Sequence, residues 1–307
     1  MAFFFHQQKS VMMNAIIQVM SESSAYFIGT VFVVSLLVGS FLNVVIYRLP
    51  IMMERAWRHE CEQYLQPDSA NTNANAELTP FNLVKPDSTC PQCQHKIRAW
   101  ENIPVLSWLW LKGKCSQCRN PISVRYPLVE LCTALLSTLA AWHFGFGMPA
   151  MIAVLATWLL IAMTFIDLDK MLLPDQLTLS LLWIGLLMSV NHTFVSAQDA
   201  IIGAALGYFC LWSLYWAFKL LTGKEGMGYG DFKLLAALGA LVGWQQLPVV
   251  ILLSSFVGAV VGVTLIVVQG RDKSQPIPFG PYLAAAGWLT LLYGDWIVEQ
   301  YLHLLVY

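Results

Sequence analysis

Residues 226–240 read GMGYGDFKLLAALGA: three glycines in five residues, then Asp231, then an apolar run. A carboxylate set between a glycine-rich turn and an apolar helix is costly to keep in a hydrophobic chain, so Asp231 calls for a partner. The surrounding composition makes the cost plain. The 307-residue chain is 57% hydrophobic and only 11% charged, with a positive mean hydropathy. Those values lie outside the range of soluble domains and specify an integral membrane protein. Runs long enough to cross a bilayer as helices lie near 25–46, 128–146, 148–166, 176–190, 200–220, 232–246, 248–268 and 282–301. The expected fold is therefore an all-α polytopic membrane protein with about eight transmembrane helices, the fourth and sixth being short.

Charge placement orients these spans. Lys and Arg near span ends stay on the cytoplasmic side. Ten of the 17 basic residues fall from Arg48 to Arg125. If that segment is cytoplasmic and the spans alternate, then Lys170, Lys219, Lys224, Lys233, Arg271 and Lys273 also lie inside, leaving Lys9 outside. The organisation expected is an N-terminal extension over 1–24, a first span over 25–46, a cytoplasmic loop over 47–127 and a membrane domain over 128–307. The first residues do not follow a secretory signal pattern, because the long run from Ala25 is followed by Arg48, so it reads as an uncleaved span. Met12, Met13 or Met20 are alternative starts. Within the loop, residues 62–88 are rich in Asn, Ser, Pro and Ala and read as a mobile insert.

The segment 90–118 has a different character. Cys90-Pro-Gln-Cys93 and Cys115-Ser-Gln-Cys118 form a C-x2-C, x21, C-x2-C pattern, accompanied by Trp100, Trp108 and Trp110. Two intervening residues let both sulfurs of one turn point at a common centre, and two such knuckles supply the four thiolates of a tetrahedral Zn2+ site. The alternatives are two disulfides, disfavoured by a reducing cytoplasm, or reduced thiols with no ligand. Four protein ligands leave no open position, so the metal is expected to be structural. Cys61, Cys132 and Cys210 stand alone and read as small apolar residues or exposed thiols.

Ionisable groups at span edges are functional candidates by default. FIDLDKMLLPD, residues 165–175, holds Asp167, Asp169 and Asp175. With eight alternating spans, the third descends to Asp167 and the sixth begins at Asp231, so the two meet at the same edge although 64 positions apart. Two carboxylates a few ångströms apart share one proton, and such a pair can activate water against a peptide carbonyl. Gly228 and Gly230 beside it permit a substrate backbone to come close. Asp231 taken alone reads equally as a helix cap. Asp175, after Pro174, reads as a cap, Asp169 as interfacial, and Gly145-Phe146-Gly147 as an outward turn.

Seven blocks in one order carry a family resemblance: GSFLNVVIYRLP (39–50), the two cysteine pairs, ENIPVLSWL (101–109), PISVRYPLVE (121–130), FIDLDKMLLPD (165–175), GMGYGDFKLLA (226–236) and PFGPYLA (278–284). The chain resembles bacterial type IV prepilin peptidases, which belong to the GxGD-type intramembrane aspartic proteases. The resemblance implies an inner-membrane enzyme with Asp167 and Asp231 as catalytic pair. It also implies cleavage of prepilin and pseudopilin leaders after glycine, then N-methylation of the new terminus with S-adenosylmethionine as donor. The partners implied are those protein substrates and membrane lipid, with no nucleic acid. No dinucleotide-type glycine turn supplies a donor site; Asn43 and Glu130 are polar groups near span ends, suited to that chemistry or to helix packing and anchoring. A transporter would place its carboxylates at the midplane and show repeats; a structural secretion component would use them as caps. The orientation is testable with reporter fusions: those after residues 80 and 224 should report cytoplasm and one after 194 the outside. An outside signal at 224 would separate Asp231 from Asp167.

Overall fold

The computed structural model describes residue 14 and residues 17–65, 81–269 and 277–306. Lys9, Arg271, Lys273, Met12, Met13, most of the expected N-terminal extension and the middle of the expected insert lie outside the described residues. Helices α1 (Ser24–Leu65), α2 (Leu106–Trp110), α3 (Arg125–Phe144), α4 (Met148–Lys170), α5 (Asp175–Ser189), α6 (Ala197–Thr222), α7 (Tyr229–Val242), α8 (Leu247–Gln269) and α9 (Gly280–Val306) follow in order. Among the described residues there are no strands, only two isolated bridges. Each apolar run read from the sequence coincides with one of the long helices. Five helical segments are long and apolar enough to cross a membrane: Ser24–Leu65, Arg125–Phe144, Met148–Lys170, Ala197–Thr222 and Trp244–Val268.

The first helix departs from its expected boundary. It runs through Pro50 to Leu65 instead of ending at 46. Hydropathy marks where a helix leaves the apolar phase and not where it stops; beyond Ile51 the sequence is polar but still helix-forming, with a Glu54–Arg58 pair at 2.5 Å one turn apart. The end of the expected mobile insert is also fastened. Arg48, buried, donates to the carbonyls of Asn82 (3.0 Å), Leu83 (3.4 Å) and Pro86 (2.7 Å), and the Arg55 guanidinium lies 4.1 Å from the Phe81 ring centre.

Turns end the other helices where the sequence supplies them. Gly145 at φ 68° closes α3, and Met171 at φ 51° closes α4, after which Leu172, Leu173 and Pro174 lead to α5. At one end of the bundle, Arg125 of α3 pairs with Asp169 of α4 at 2.6 Å, and Lys233 of α7 with Asp175 of α5 at 2.6 Å. Inside the bundle, Trp158 of α4 donates to Ser137 of α3 (3.0 Å) and Ser35 of α1 (3.2 Å), while Trp288 of α9 donates to Thr157 (2.8 Å).

Helix α7 is the centre. From Asp231 to Val242 every residue except Lys233 is buried, which an apolar sequence without a polar face permits. It packs against α5, α6 and α9. Backbone contact is what allows this: a Cβ on Gly203 of α6 would strike the Gly239 carbonyl, and one on Gly207 would lie 2.6 Å from the Leu235 carbonyl oxygen. On α5, a Cβ on Gly185 would sit 3.0 Å from that of Ala240. Gly203→Leu should therefore destabilise the protein by about 3 kcal/mol or more in detergent thermal unfolding. Gly29→Leu should stay within about 0.5 kcal/mol of wild type, since nothing lies within 4 Å of a Cβ there.

Candidate active site

The last turn of α4 carries Asp167 and the first turn of α7 carries Asp231, and both are buried, at 5% and 7% exposure. Asp167 lies near enough for its charge to act on Asp231. The four carboxylates of this end are thereby sorted. Asp169 and Asp175 are partly exposed and paired with Arg125 and Lys233, whereas among the described residues no cation pairs with Asp167 or Asp231. Asp169, expected at the interface, is held by Arg125 in a partly exposed pair. Asp175 is the first residue of α5, whose N-cap position is held by Pro174; its carboxylate is drawn to Lys233 and does not cap.

Each buried carboxylate is oriented by a helix start. Asp167 Oδ2 accepts the Gly280 N–H at 3.0 Å. That N–H is the first of α9, one of the donors a helix leaves free at its amino end, where a negative charge is favoured. The glycine is required by distance, since a Cβ there would lie 2.6 Å from the same oxygen. Gly280 sits in the PFGPYLA block but carries no ionisable signal, and its role appears only when residues 113 positions apart meet. Asp231 turns back toward the N–H of Gly228, the N-cap of α7, as the third-position acid of a capping box does. Turning toward Gly228 leaves Asp231 within reach of Asp167's charge.

Leu173 joins the two halves. A Cβ on Gly230 would lie 2.7 Å from Leu173 Cβ, and one on Gly280 would lie 3.2 Å from Leu173 Cδ1. The two glycines expected to admit a substrate backbone therefore differ. Gly230 is taken up by internal packing against Leu173, while beside Gly228 the nearest atoms to a Cβ, Asp231 Oδ2 and the Gly230 nitrogen, are 4.0 Å away. Gly228 is the open position.

The cysteine segment folds as two matching knuckles. The Cys90 N–H donates to the His95 carbonyl and the Cys115 N–H to that of Asn120, both at 2.9 Å; Gln94 and Arg119, each following a second cysteine, adopt φ 59° and 57°. All four Sγ atoms lie within 4.8 Å of one another, with Cys90–Cys118 at 3.8 Å and Cys93–Cys115 at 4.0 Å. A tetrahedral ion with bonds of about 2.3 Å sets its sulfurs about 3.8 Å apart, so the donor set fits a metal. Backbone N–H groups of Cys93 and Gln92 draw the Cys90 thiol down to about 6, and those of Cys118 and Gln117 lower Cys115. The first cysteine of each knuckle is thus drawn toward its thiolate, whereas at Cys118, against the Asn120 N–H, burial and the neighbouring sulfurs push the thiol up to about 12. Glu101 ties the knuckles together. Its carboxylate is held below the usual range by the Arg98 N–H, the Ser116 hydroxyl and His95, the last at 3.2 Å.

The knuckles are bolted to the membrane part by Glu130, buried in α3, which accepts the Val105 N–H at 2.7 Å. Asn43 of α1 donates to the carbonyls of Tyr126 (3.2 Å) and Gly39 (3.4 Å). Both polar residues therefore work as fasteners between α1, α3 and the module, which matches the packing and anchoring role weighed for them. Cys61 and Cys210 are exposed and Cys132 half-buried, all free thiols.

Comparison with known proteins gives one pattern along most of the chain. Residues 33–144 match the model of the bacterial peptidase A24 N-terminal domain, and residues 153–263 that of the type IV leader peptidase family. A prepilin leader peptidase/N-methyltransferase of Aeromonas hydrophila is 61% identical over 276 residues, covering 90% of this chain and 94% of that protein. The protein of the same description from Pseudomonas aeruginosa is 55% identical over 282 residues, covering 92% and 95%. One from Legionella pneumophila is 45% identical over 268 residues, covering 87% and 92%. No solved structure matches.

The geometry of the knuckles makes a direct prediction. Elemental analysis of the purified protein should find about one metal ion per chain. Cys90→Ser or Cys115→Ser should lose it and leave the loop open to protease, while Cys61→Ser should change neither. A metal-free protein with two disulfides would contradict the fit.

Proposed function

The chain belongs to the type IV leader peptidase family, and on that basis we propose that Asp167 and Asp231 are the pair with which it cuts prepilin leaders before methylating the new amino terminus. The observation that carries this reading is the burial of two cation-free carboxylates at one end of the bundle, each aimed by a helix start. One carboxylate, ionised, takes a proton from water as the water oxygen bonds to the scissile carbonyl carbon. The other, protonated, hydrogen-bonds the carbonyl oxygen. A proton then reaches the amide nitrogen as the C–N bond breaks, and the pair returns to its starting state. Gly228 offers the open backbone edge along which an extended leader pairs.

All eight long helices cross the inner membrane in this reading. The basic end carrying the cysteine module faces the cytoplasm, where a charged leader emerges from the bilayer. The substrates are prepilins and type II secretion pseudopilins, embedded in lipid beside the enzyme. The ion held by Cys90, Cys93, Cys115 and Cys118 is Zn2+, and its closed four-sulfur shell gives it a structural role. S-adenosylmethionine supplies the methyl group when bound. Asn43 and Glu130 are committed to fastening the module, so no donor contact is assigned to them.

Asp167→Asn and Asp231→Asn preserve size and remove the proton exchange. Each should lower leader cleavage by roughly a thousandfold or more, and the double variant should cost little beyond either single one, because the pair acts as a unit. Asp169→Asn should stay within about tenfold of wild type. These rates come from incubating purified enzyme with a prepilin, with and without methyl donor, and weighing the products. Full cleavage by folded Asp231→Asn would return that residue to a capping role.

A further inference from the structure

Helices α6 and α8 scarcely touch, and between them lies a cavity of about 340 Å3. Its walls are Leu211 and Leu214 of α6, Ile251 and Ala259 of α8, and its head is formed by Met227 and Phe279. These last two are the chain neighbours of Gly228 and Gly280, so the cavity begins at the two loops that aim the carboxylates. Ile251 lies near the start of α8, at the opposite end of the bundle from Asp167 and Asp231. The cavity therefore extends from the loops beside the pair toward the other end of the bundle. Ala259 and Ile251 are two helical turns apart, about 12 Å.

Two flanks of the pair are occupied. Leu173 fills the side between Gly230 and Gly280. Tyr215, Tyr229 and Phe232 pack ring against ring beside the start of α7, with centroids 5.3 to 5.7 Å apart. The cavity between α6 and α8 is lined mainly by apolar side chains and starts beside the loops of Gly228 and Gly280. A charged leader has no counterpart on these walls, whereas a membrane-embedded segment does.

We propose that this cavity receives the apolar segment of the prepilin that follows the scissile bond, and that Leu214 and Ala259 limit the bulk of the side chains it accepts. The inference rests on the reading of Asp167 and Asp231 as the cleaving pair, because the cavity gains its meaning from where it leads. The segment enters sideways from the lipid between α6 and α8, and its apolar side chains fill the space beneath Met227 and Phe279. Its backbone then reaches Gly228.

The test uses the full chain with p-benzoylphenylalanine in place of Ala259 or Leu214, in an Asp231→Asn background, irradiated with an intact prepilin and mapped by mass spectrometry. Crosslinks to the first two turns after the cut site are expected. Crosslinks to the leader, to lipid alone or to a second copy of the enzyme would overturn the proposal. Full cleavage in that background would instead sink the role of Asp231, and the crosslink map would still report which segment occupies the cavity. In the otherwise unaltered enzyme, Ala259→Trp should raise KM for prepilin about tenfold with little change in kcat, and alanines in the substrate segment should restore it. Val260→Trp, on an exposed part of α8 outside the lining, should leave KM unchanged. Equal KM values for the two tryptophan variants would contradict the proposal.

Discussion

Backbone-to-backbone contact around α7 is the constraint on which the remaining structure depends. Lipid tails are as apolar as leucine, so helices in a membrane gain nothing by merely hiding apolar surface from one another, and close packing at small residues takes over. The Gly203–Gly239 and Gly207–Leu235 contacts supply that packing on one side of α7, and Gly185 against Ala240 supplies it on another. A helix gripped by its backbone cannot slide by a turn without losing these contacts. Its register sets the depth of Asp231, and the α9 start, through Gly280, sets the position of Asp167.

Charge then separates structure from chemistry at the same end of the bundle. Asp169 and Asp175 neutralise Arg125 and Lys233 in partly exposed pairs between helices, worth little individually. Asp167 and Asp231 are buried with no cation paired to them among the described residues, an arrangement that costs stability and marks a functional candidate. Leu173 packs against both glycine-bearing loops, so the left-handed turn at Met171 that redirects the chain after α4 also couples the two halves of the site. The cysteine module is attached by different means: Glu130 holds Val105, and Arg48 holds the carbonyls of 82–86.

Much of this was legible in the sequence because membrane and metal signals are strong and local. Apolar runs gave every long helix, the alternation of those runs gave the shared end of Asp167 and Asp231, and cysteine spacing gave the four sulfurs now found within 4.8 Å. What escaped depends on long-range contact or on phase-independent helicity. The run of α1 past residue 46 was hidden because hydropathy falls where the helix does not. Arg48, read as an orienting charge, turned out to be a buried staple for part of a segment expected to move. Gly280 and Leu173 are apolar or silent residues whose meaning exists only beside partners far along the chain, and Gly230 was assigned to substrate when its space belongs to Leu173.

The central claim is that Asp167 and Asp231 face each other across one site, and proximity can be measured without any turnover. An Asp167→Cys/Asp231→Cys double variant, solubilised and treated with a short bifunctional maleimide, should yield on digestion a peptide containing position 167 joined to one containing position 231. The same peptides recovered only as separate single adducts, from protein that remains folded, would show that the two positions do not meet.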